Sequence, residues 1–256
     1  MKTLEQSARE VFGGRAAFYT TSAIHTDPQV LARVVELAAP GGDMAALDVA
    51  TGTGHTAFAL APRVARVVGT DLTPQMLAEG ERLARERRVP HVRFCLADAH
   101  ALPFDAGAFH VVTCRRAAHH FSNIRLALRE MKRVLRPLGS GRLVIDDRSV
   151  PEDDFVDECM NELDRLHDES HVRQYRPSEW VRMLKEAGFA VETVEPYTRH
   201  RPLTSLTEGV SPENVRRIQA MVDGLNDGQK QAMHVVEQDG QLYLDHWYVM
   251  IGATSA

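Results

Sequence analysis

The sequence predicts an α/β domain built on a mostly parallel sheet that helices cover on both faces. Short runs rich in β-branched residues alternate with segments of helical periodicity, which is typical of strand–helix–strand crossover units. The chain has 256 residues, of which 44% are apolar, so a single domain with a sizeable core accounts for its length. These observations exclude a disordered or fibrous chain.

Five predicted strands form the regular part of this sheet. They cover residues 45–50, 66–70, 92–97, 110–114 and 143–146. The helix after the second strand begins at Pro74, with Thr73 as its N-cap, and ends near Pro90. A further helix covers 122–135 and stops before Pro137. Each strand is thus followed by a segment that returns the chain to the next parallel strand.

Two insertions interrupt the alternation in the second half of the chain. A charged, amphipathic stretch covers 150–176, and a mostly helical, polar stretch covers 202–238. A late strand follows each insertion. These two strands cover 191–194 and 242–251. We therefore expect one domain, 1–256, in which the insertions form a helical cap and residues 1–40 form N-terminal lid helices.

Charge and cysteine content restrict the partners and the compartment. The 30 Lys and Arg residues against 35 Asp and Glu give a net charge of −5, which disfavours a broad surface for nucleic acid or anionic lipid. No apolar run approaches the roughly 20 residues that cross a bilayer, and the first ten residues lack the apolar region of a secretion signal. The three cysteines, Cys95, Cys114 and Cys159, form no CxxC pair, which favours free core thiols. We expect a cytoplasmic protein without stable membrane insertion.

A glycine loop between the first strand and its helix is the most informative segment. It runs Leu47-Asp-Val-Ala-Thr-Gly-Thr-Gly-His-Thr-Ala57. Gly52 and Gly54 allow a tight turn and close approach of a ligand to the backbone, at the electropositive start of a helix. The same residues match the dinucleotide pattern GxGxxA, so the loop alone leaves an NAD-dependent oxidoreductase as an alternative.

Three acidic positions bear on these alternatives, and of these Asp71 fits either cofactor. Asp71 lies 19 residues after Gly52, where a carboxylate accepts hydrogen bonds from both ribose hydroxyls of a nucleoside. Asp48 lies within the first strand, where it would repel a pyrophosphate but bind a cationic amino group such as that of S-adenosylmethionine. Asp98, with the backbone N–H of Ala99, matches the hydrogen-bonding edge of adenine. Each of two acidic residues also has a purely structural alternative. Asp48 could cap the loop after its strand, and Asp71 could mark the start of the helix at Pro74.

Four segments resemble the class I S-adenosylmethionine-dependent methyltransferases of the ubiquinone/menaquinone C-methyltransferase type, known also as the methyltransferase domain 11 type. The segments are LDVATGTG, GTDLTPQML, ADAHALPFDAGAFHVVTCRRAAHHFSN and LREMKRVLRPLGSGRLVI, and the resemblance covers roughly residues 12 to 200. It implies a Rossmann-like, seven-stranded sheet in the order 3-2-1-4-5-7-6 with the last strand antiparallel. It also implies S-adenosyl-L-methionine as cofactor, S-adenosyl-L-homocysteine as product, and no metal.

The resemblance assigns a set of cofactor-binding residues. They are Tyr19, Asp48, Ala50, Thr51, Gly52, Gly54, Asp71, Leu72, Met76, Asp98, Ala99 and Arg115. Asp48 and the two glycines contact the methionine portion, Asp71 the ribose, and Asp98 with Ala99 the adenine. Leu72 and Met76 enclose the adenine ring, with ordinary core packing as their alternative. The side chain of Arg115 receives no chemical role.

The methyl acceptor is expected at the ends of the fourth and fifth strands. His119 and His120 are candidate general bases there, and Asp147 assists them or binds a polar acceptor. Their alternative is structural, with the histidines capping the next helix. The resemblance implies three substrate contacts: His25 in the lid, and Arg173 and Tyr175 in a loop that borders the acceptor pocket.

The expected reaction is methylation of a ring carbon or hydroxyl of a small molecule by a monomer or homodimer, without nucleic acid. A non-catalytic cofactor-binding protein remains the alternative outside enzymes. His167 and His171 share one helix face at i,i+4 spacing, but no third metal ligand is evident. We therefore expect no metal.

Overall fold

The computed structural model describes residues 4–22 and 25–256, and in them eight strands form one sheet. The strands are β1 (Ala45–Val49), β2 (Arg66–Asp71), β3 (Val92–Leu96), β4 (Val111–Arg115), β5 (Arg142–Ser149), β6 (Phe189–Pro202), β7 (Val236–Gln238) and β8 (Gln241–Ser255). Their order is β3-β2-β1-β4-β5-β8-β6, and the short β7 pairs only with β8. Strand β8 runs antiparallel to β5 and β6, whereas β1 to β5 pair in parallel. The predicted topology is confirmed, with β6 and β8 as its two late strands and β7 as an addition.

Ten helices surround this sheet in the described part of the chain. They are α1 (Leu4–Thr21), α2 (Pro28–Ala38), α3 (His55–Leu60), α4 (Pro74–Glu86), α5 (Ile124–Val134), α6 (Asp154–His167), α7 (Pro177–Glu186), α8 (Thr204–Thr207), α9 (Pro212–Asp223) and α10 (Asp227–Ala232). Single 3-10 turns lie at Ala61–Arg63 and Ala118–His120. Asn123 and Asp153 cap α5 and α6 through their side chains, whereas Thr73 stands at the N-cap of α4 without a side-chain cap bond. In the described ranges, we find no helix with the length and hydrophobicity needed to cross a membrane.

The inner strands are buried on both faces, as parallel strands between helix layers should be. Every residue of β1 and β4 is buried. Neighbouring residues of β1 belong to different core clusters, because successive side chains point to opposite faces. Leu47 packs with α5 and α7 on one face, and Ala46 packs with α2 and α3 on the other. This double burial fixes the strand ends that carry the site.

Helix α2 belongs to the core, in contrast to the expected lid over residues 1–40. Val30, Val34 and Ala38 lie on one face of α2, are 7%, 1% and 0% exposed, and pack against the sheet. Helix α1 instead crosses α4, where the Thr20 hydroxyl donates to Glu79 at 3.0 Å. Of residues 1–40, α1 and the segment at His25 border the site.

The two late strands are longer than their sequence patterns indicate. The N-terminal half of β8 and the C-terminal half of β6 extend as a paired ribbon beyond β5. Helices α6, α8 and α9 pack on this ribbon through a third cluster that includes Met160, Leu163, Leu206, Ile218 and Leu244. The two insertions therefore pack together and form a common wall above the carboxyl end of β5.

Candidate active site

A cavity opens at the carboxyl ends of β1, β2, β3 and β4. Its lining includes every residue expected to bind the cofactor except Gly54: Tyr19, Asp48, Ala50, Thr51, Gly52, Asp71, Leu72, Met76, Asp98, Ala99 and Arg115. This is the place where ligands bind in open parallel sheets, because the loops after neighbouring strands meet there. Thr56 and His100 also line it, and the sequence patterns did not indicate them.

The two glycines of the loop have different tasks. Gly52 has a φ of +57°, and a Cβ built on it would meet no atom within 4 Å, so its open side is available to a ligand. Gly54 has a φ of +93°, and its Cβ would lie 2.8 Å from Cζ of Phe94. Gly54 is therefore required for packing between the loop and β3, which explains its absence from the cavity lining.

Asp71 is fixed between the glycine loop and α4. Its Oδ2 accepts the N–H of Gly52 and its Oδ1 accepts the N–H of Thr73, each at 2.9 Å. Burial raises the pKa of Asp71, while these hydrogen bonds favour its charged form. Each carboxylate oxygen keeps a further lone pair for a hydroxyl donor in the cavity.

Asp48 is almost fully buried at the end of β1. Its carboxylate accepts the hydroxyls of Thr51 at 2.5 Å and Thr113 at 2.7 Å, and the residue is 1% exposed. Burial raises the pKa of Asp48 to about 6, and the two hydroxyls partly oppose that rise. The group is a pre-positioned anion near neutral pH, in a place that suits a cation.

Asp98 is oriented by a histidine. The Oδ1 of Asp98 accepts the backbone N–H of His100 at 2.8 Å and bonds with its Nδ1 at 2.6 Å. The Nε2 of His100 accepts the N–H of Asn123 at 3.2 Å, so the proton of the neutral ring lies on Nδ1. This leaves Oδ2 of Asp98 for a donor in the cavity.

Arg115 carries a buried donor that its neighbours do not satisfy. Its Nε donates to Thr56 at 2.9 Å and its Nη2 to the carbonyl of His25 at 2.7 Å. Its Nη1 is buried without a partner among the described residues. Burial lowers the pKa of Arg115, which nevertheless stays charged at neutral pH. Since Arg115 lines the cavity, an anionic group bound there would supply the missing acceptor.

A second cavity of about 630 Å³ adjoins the first. Five residues line both cavities: Phe12, Tyr19, His25, Arg116 and His120. Its volume lies within the range of small-molecule pockets, roughly 300–1,000 Å³. The arrangement brings two of the expected acceptor residues, His25 and His120, to the junction between the cavities.

A buried histidine–aspartate pair lies beside this junction. Nδ1 of His119 bonds with Oδ1 of Asp147 at 2.6 Å, and Asp147 also accepts the backbone N–H groups of His119 and Arg148 at 2.8 Å. Burial lowers the pKa of His119 well below its usual value and raises the pKa of Asp147 to about 6. A neutral ring that donates from Nδ1 leaves its Nε2 lone pair available as a base. Asp147 is 1% exposed and contacts His119 through the hydrogen bond to Nδ1. His119 itself lines the second cavity.

The neighbouring His120 is held between α1 and the cap. Its Nδ1 lies 3.1 Å from both the carbonyl and the hydroxyl oxygen of Ser170, and its ring meets Phe12 edge-on at 4.9 Å between centroids. The hydroxyl of Ser170 donates to Asp168 at 2.6 Å. His120 thus connects the lid helix, the cap and the junction.

Arg116 belongs to a closed network at the strand ends. Its Nε donates to Asp146 at 3.0 Å and its Nη2 to the hydroxyl of Tyr197 at 2.8 Å, while that hydroxyl donates to Asp146 at 2.7 Å. The guanidinium also lies 3.8 Å from the ring centroid of Tyr248. This network ties β4, β5, β6 and β8 together beneath the second cavity.

Two expected substrate contacts lie elsewhere. Neither Arg173 nor Tyr175 is among the described residues that line the two cavities. Arg173 pairs with the buried Asp157 at 2.9 Å and with Glu179, and Tyr175 packs edge-on against Trp180. The segment after α6 therefore turns its charged and aromatic side chains toward α6 and α7.

His167 and His171 do not converge on a common point. Nδ1 of His167 bonds with the carbonyl of Leu206 at 3.0 Å, and Nε2 of His171 bonds with Asn161 at 3.1 Å. Within the described ranges, no three His, Cys, Asp or Glu side chains form a metal-binding group.

Comparison with known proteins identifies the family. A family described as "Methyltransferase domain" matches residues 46–139. The uncharacterized methyltransferase YcgJ of Bacillus subtilis is 37% identical over 186 residues, which cover 73% of each protein. This chain belongs to the class I S-adenosylmethionine-dependent methyltransferases. The resemblance inferred from the four sequence segments is thereby confirmed.

Solved structures agree with this assignment. The methyltransferase chain matches the crystal structure of YcgJ with a TM-score of 0.82 at 31% identity, covering 88% of this chain and 97% of YcgJ. A putative methyltransferase from Bacillus halodurans matches with a TM-score of 0.83 at 33% identity, covering 88% and 98%. The demethylmenaquinone methyltransferase of Thermus thermophilus is 46% identical over 115 residues, which cover 44% of this chain and 51% of that relative.

Proposed function

We propose that this methyltransferase moves the methyl group of S-adenosylmethionine to a ring carbon or hydroxyl of a small molecule held in the second cavity. The proposal rests mainly on the residues that line both cavities, one of which is His120. A cofactor in the first cavity and an acceptor in the second would meet at this junction. Holding two reactants in line contributes up to about 7–11 kcal/mol to a displacement.

The first cavity offers one polar group for each polar part of the cofactor. Asp48 would bind the amino group, Asp71 the ribose hydroxyls, and Asp98 the adenine amino group. The unpartnered Nη1 of Arg115 would bind the carboxylate of the methionine portion. This set fits S-adenosylmethionine better than NAD, because Asp48 would face a pyrophosphate with a buried carboxylate.

The bound cofactor supplies a sulfonium-activated methyl group, and the chain supplies the base where the acceptor must lose a proton. We assign that role to Nε2 of His119, which Asp147 orients through Nδ1. Asp147 is a positioning residue, since it does not line either cavity. General-base assistance of this kind contributes about 10²–10⁴-fold to a rate.

The relatives indicate one acceptor class to test first. The Thermus relative is named a demethylmenaquinone methyltransferase, and its similarity extends over 115 residues, less than half of this chain. The segments that enclose the second cavity include the cap, so the relative's acceptor carries over only as a candidate. A hydroxylated naphthalene or benzene ring is therefore the first choice of acceptor.

The cofactor assignment is tested by calorimetry with S-adenosylhomocysteine and, separately, with NAD. Asp71→Ala should weaken S-adenosylhomocysteine binding by about 100-fold or more, because two hydrogen bonds to a charged group are lost. Asp105→Ala is the matched control, since Asp105 is exposed and lies outside both cavities. The proposal would be overturned if S-adenosylhomocysteine did not bind at millimolar concentration, or if NAD bound tightly.

The base is tested with radiolabelled S-adenosylmethionine and a panel of phenols and hydroxynaphthalenes. His119→Gln should lower kcat for the best acceptor by about 10²–10⁴-fold and leave binding of S-adenosylhomocysteine unchanged. An unaltered kcat would show that His119 is not the base.

A further inference from the structure

One wall of the second cavity, in the part that the first cavity does not share, includes residues of β5, β6 and β8. Arg148 on β5 is the register partner of Tyr248 on β8, so their side chains share a face of the sheet. Arg201, near the end of β6, and Ser205, in α8, line the same region. These four residues bring two guanidinium groups and two hydroxyls to one wall.

Several donors on this wall have no acceptor in the described chain. The guanidinium of Arg201 makes no hydrogen bond or ion pair with any described residue. Nε of Arg148 and Oγ of Ser205 are buried without partners, although Nη2 of Arg148 pairs with Asp164 at 2.7 Å. Buried donors without acceptors cost free energy and are rare in folded proteins, so their clustering indicates an absent acceptor.

Positively charged arginines act on the titratable groups of this wall. Burial raises the pKa of Tyr248, yet the charges of Arg148, Arg116 and Arg201 bring it below its usual value. Burial lowers the pKa of His246 well below its usual value, and the same Arg148 and Arg201 lower it further.

The carboxylates near this wall have other partners or lie at its rim. Asp164 is occupied by Arg148 and by the amide of Gln174. Asp168 accepts the hydroxyl of Ser170, and Glu208 lies at the exposed rim of the cavity. None of the three pairs with Arg201.

We infer that the methyl acceptor carries an anionic oxygen group, a carboxylate or a phosphate, which Arg201 binds together with Nε of Arg148 and Oγ of Ser205. The inference rests on the proposed function, because it takes the second cavity as the acceptor site. A planar guanidinium matches both oxyanions with two parallel hydrogen bonds. The acceptor is thus amphipathic, with its anion at the ribbon and its methylated atom at the junction near His120.

Inorganic phosphate and acetate are the probes for this site. Each is titrated into ¹⁵N-labelled protein with and without S-adenosylhomocysteine, with chloride at matched ionic strength, and the arginine Nε–H resonances are followed by NMR. Phosphate or acetate should shift the signals of Arg148 and Arg201 saturably, and chloride should not. The tighter of the two ions identifies the group that the acceptor carries.

Four variants locate the effect. Arg201→Gln should weaken binding of the preferred ion about tenfold or more, Arg201→Lys less, and Ser205→Ala about threefold. Arg199→Gln is the matched control, because Arg199 lies two residues away on β6, pairs with Asp27 and does not line the cavity. It should bind the ion as the natural protein does.

Two results would overturn the inference: equal shifts with chloride, or ion binding that Arg201→Gln and Arg199→Gln weaken equally. Loss of S-adenosylhomocysteine binding would instead refute the proposed function. The titration without that ligand tests the anion site in either case.

Discussion

Affinity for S-adenosylhomocysteine should fall as the pH drops through about 6, because Asp48 must be ionised to bind the cofactor's amino group. Burial raises the pKa of Asp48 to about 6, so the carboxylate is already charged above this pH. Below it, binding must first remove a proton, which costs about 1.4 kcal/mol for each pH unit. The Kd should rise about fivefold between pH 6 and pH 5 and change little between pH 7 and pH 8.

Asp48→Asn separates this effect from other titrations. Asparagine can keep both threonine contacts, since the hydroxyls of Thr51 and Thr113 either donate or accept. At pH 7 the variant should bind about 10- to 150-fold more weakly, which corresponds to about 1.5–3 kcal/mol for a bond to a charged group. Burial also raises the pKa of Asp71, so Asp71 can contribute a slope that Asp48→Asn does not remove.

The same shift has a consequence for stability. The pKa of Asp48 is about 6 in the folded protein and about 3.9 in an unfolded chain, so folding favours the protonated form. Asp48 should therefore lower the stability of the ligand-free protein as the pH rises from about 4 to about 6, by about 3 kcal/mol. Asp48→Asn should remove this contribution, leave those of Asp71 and Asp147, and raise the free energy of unfolding at pH 7. Calorimetry and urea unfolding across this pH range measure both effects. A flat Kd in the natural protein, or an equal slope in Asp48→Asn, would refute the reasoning.

Three further predictions concern the fold around the site and are tested by urea unfolding. Gly54→Ala should destabilise by about 2–4 kcal/mol, because its φ is +93° and its Cβ would approach Phe94, whereas Gly52→Ala has free space and should cost only about 1–2 kcal/mol. Equal losses would contradict the packing role of Gly54. Leu163→Ala should cost about 2–5 kcal/mol, since the side chain is 0% exposed within the cap cluster, and should leave the Kd for S-adenosylhomocysteine unchanged. A weaker Kd would indicate that the cap supports the first cavity. Asp147→Asn should cost about 1–3 kcal/mol, because one amide oxygen cannot replace both carboxylate oxygens for three N–H donors. An unchanged midpoint, matching that of the exposed control Asp105→Asn, would show that these bonds are dispensable.

The carboxylates of the first cavity were predictable because they are tied to strand ends. Asp48, Asp71 and Asp98 each lie at or just beyond the carboxyl end of a parallel strand, and such ends converge at one edge of a sheet. Once the strands are located in the sequence, the positions of these carboxylates at the edge of the sheet follow. The different tasks of Gly52 and Gly54 were not predictable, because they depend on Phe94 from a strand 40 residues away.

The acceptor side was less predictable because the cap folds through tertiary contacts. Arg173 and Tyr175 follow α6, and the buried Asp157 and the ring of Trp180 decide where they point. The length of β6 was hidden for a related reason. Its outer half contains the polar run 198–201, so it lacks the continuous β-branched pattern of a doubly covered strand. Arg201 lies in such a stretch and was missed.

The central position of β8 sets the order in which this protein can assemble during synthesis. Strands β1 to β5 and the glycine loop are complete once residue 149 has left the ribosome, so the cofactor half can fold while the rest is still being translated. Strand β6 pairs only with β8, and the cap cluster includes Leu244 of β8. Until β8 emerges, the edge of β5 stays unpaired and the acceptor side has no wall. A nascent chain would thus acquire its proposed cofactor site well before the proposed acceptor site, with an open strand edge as its main hazard in that interval.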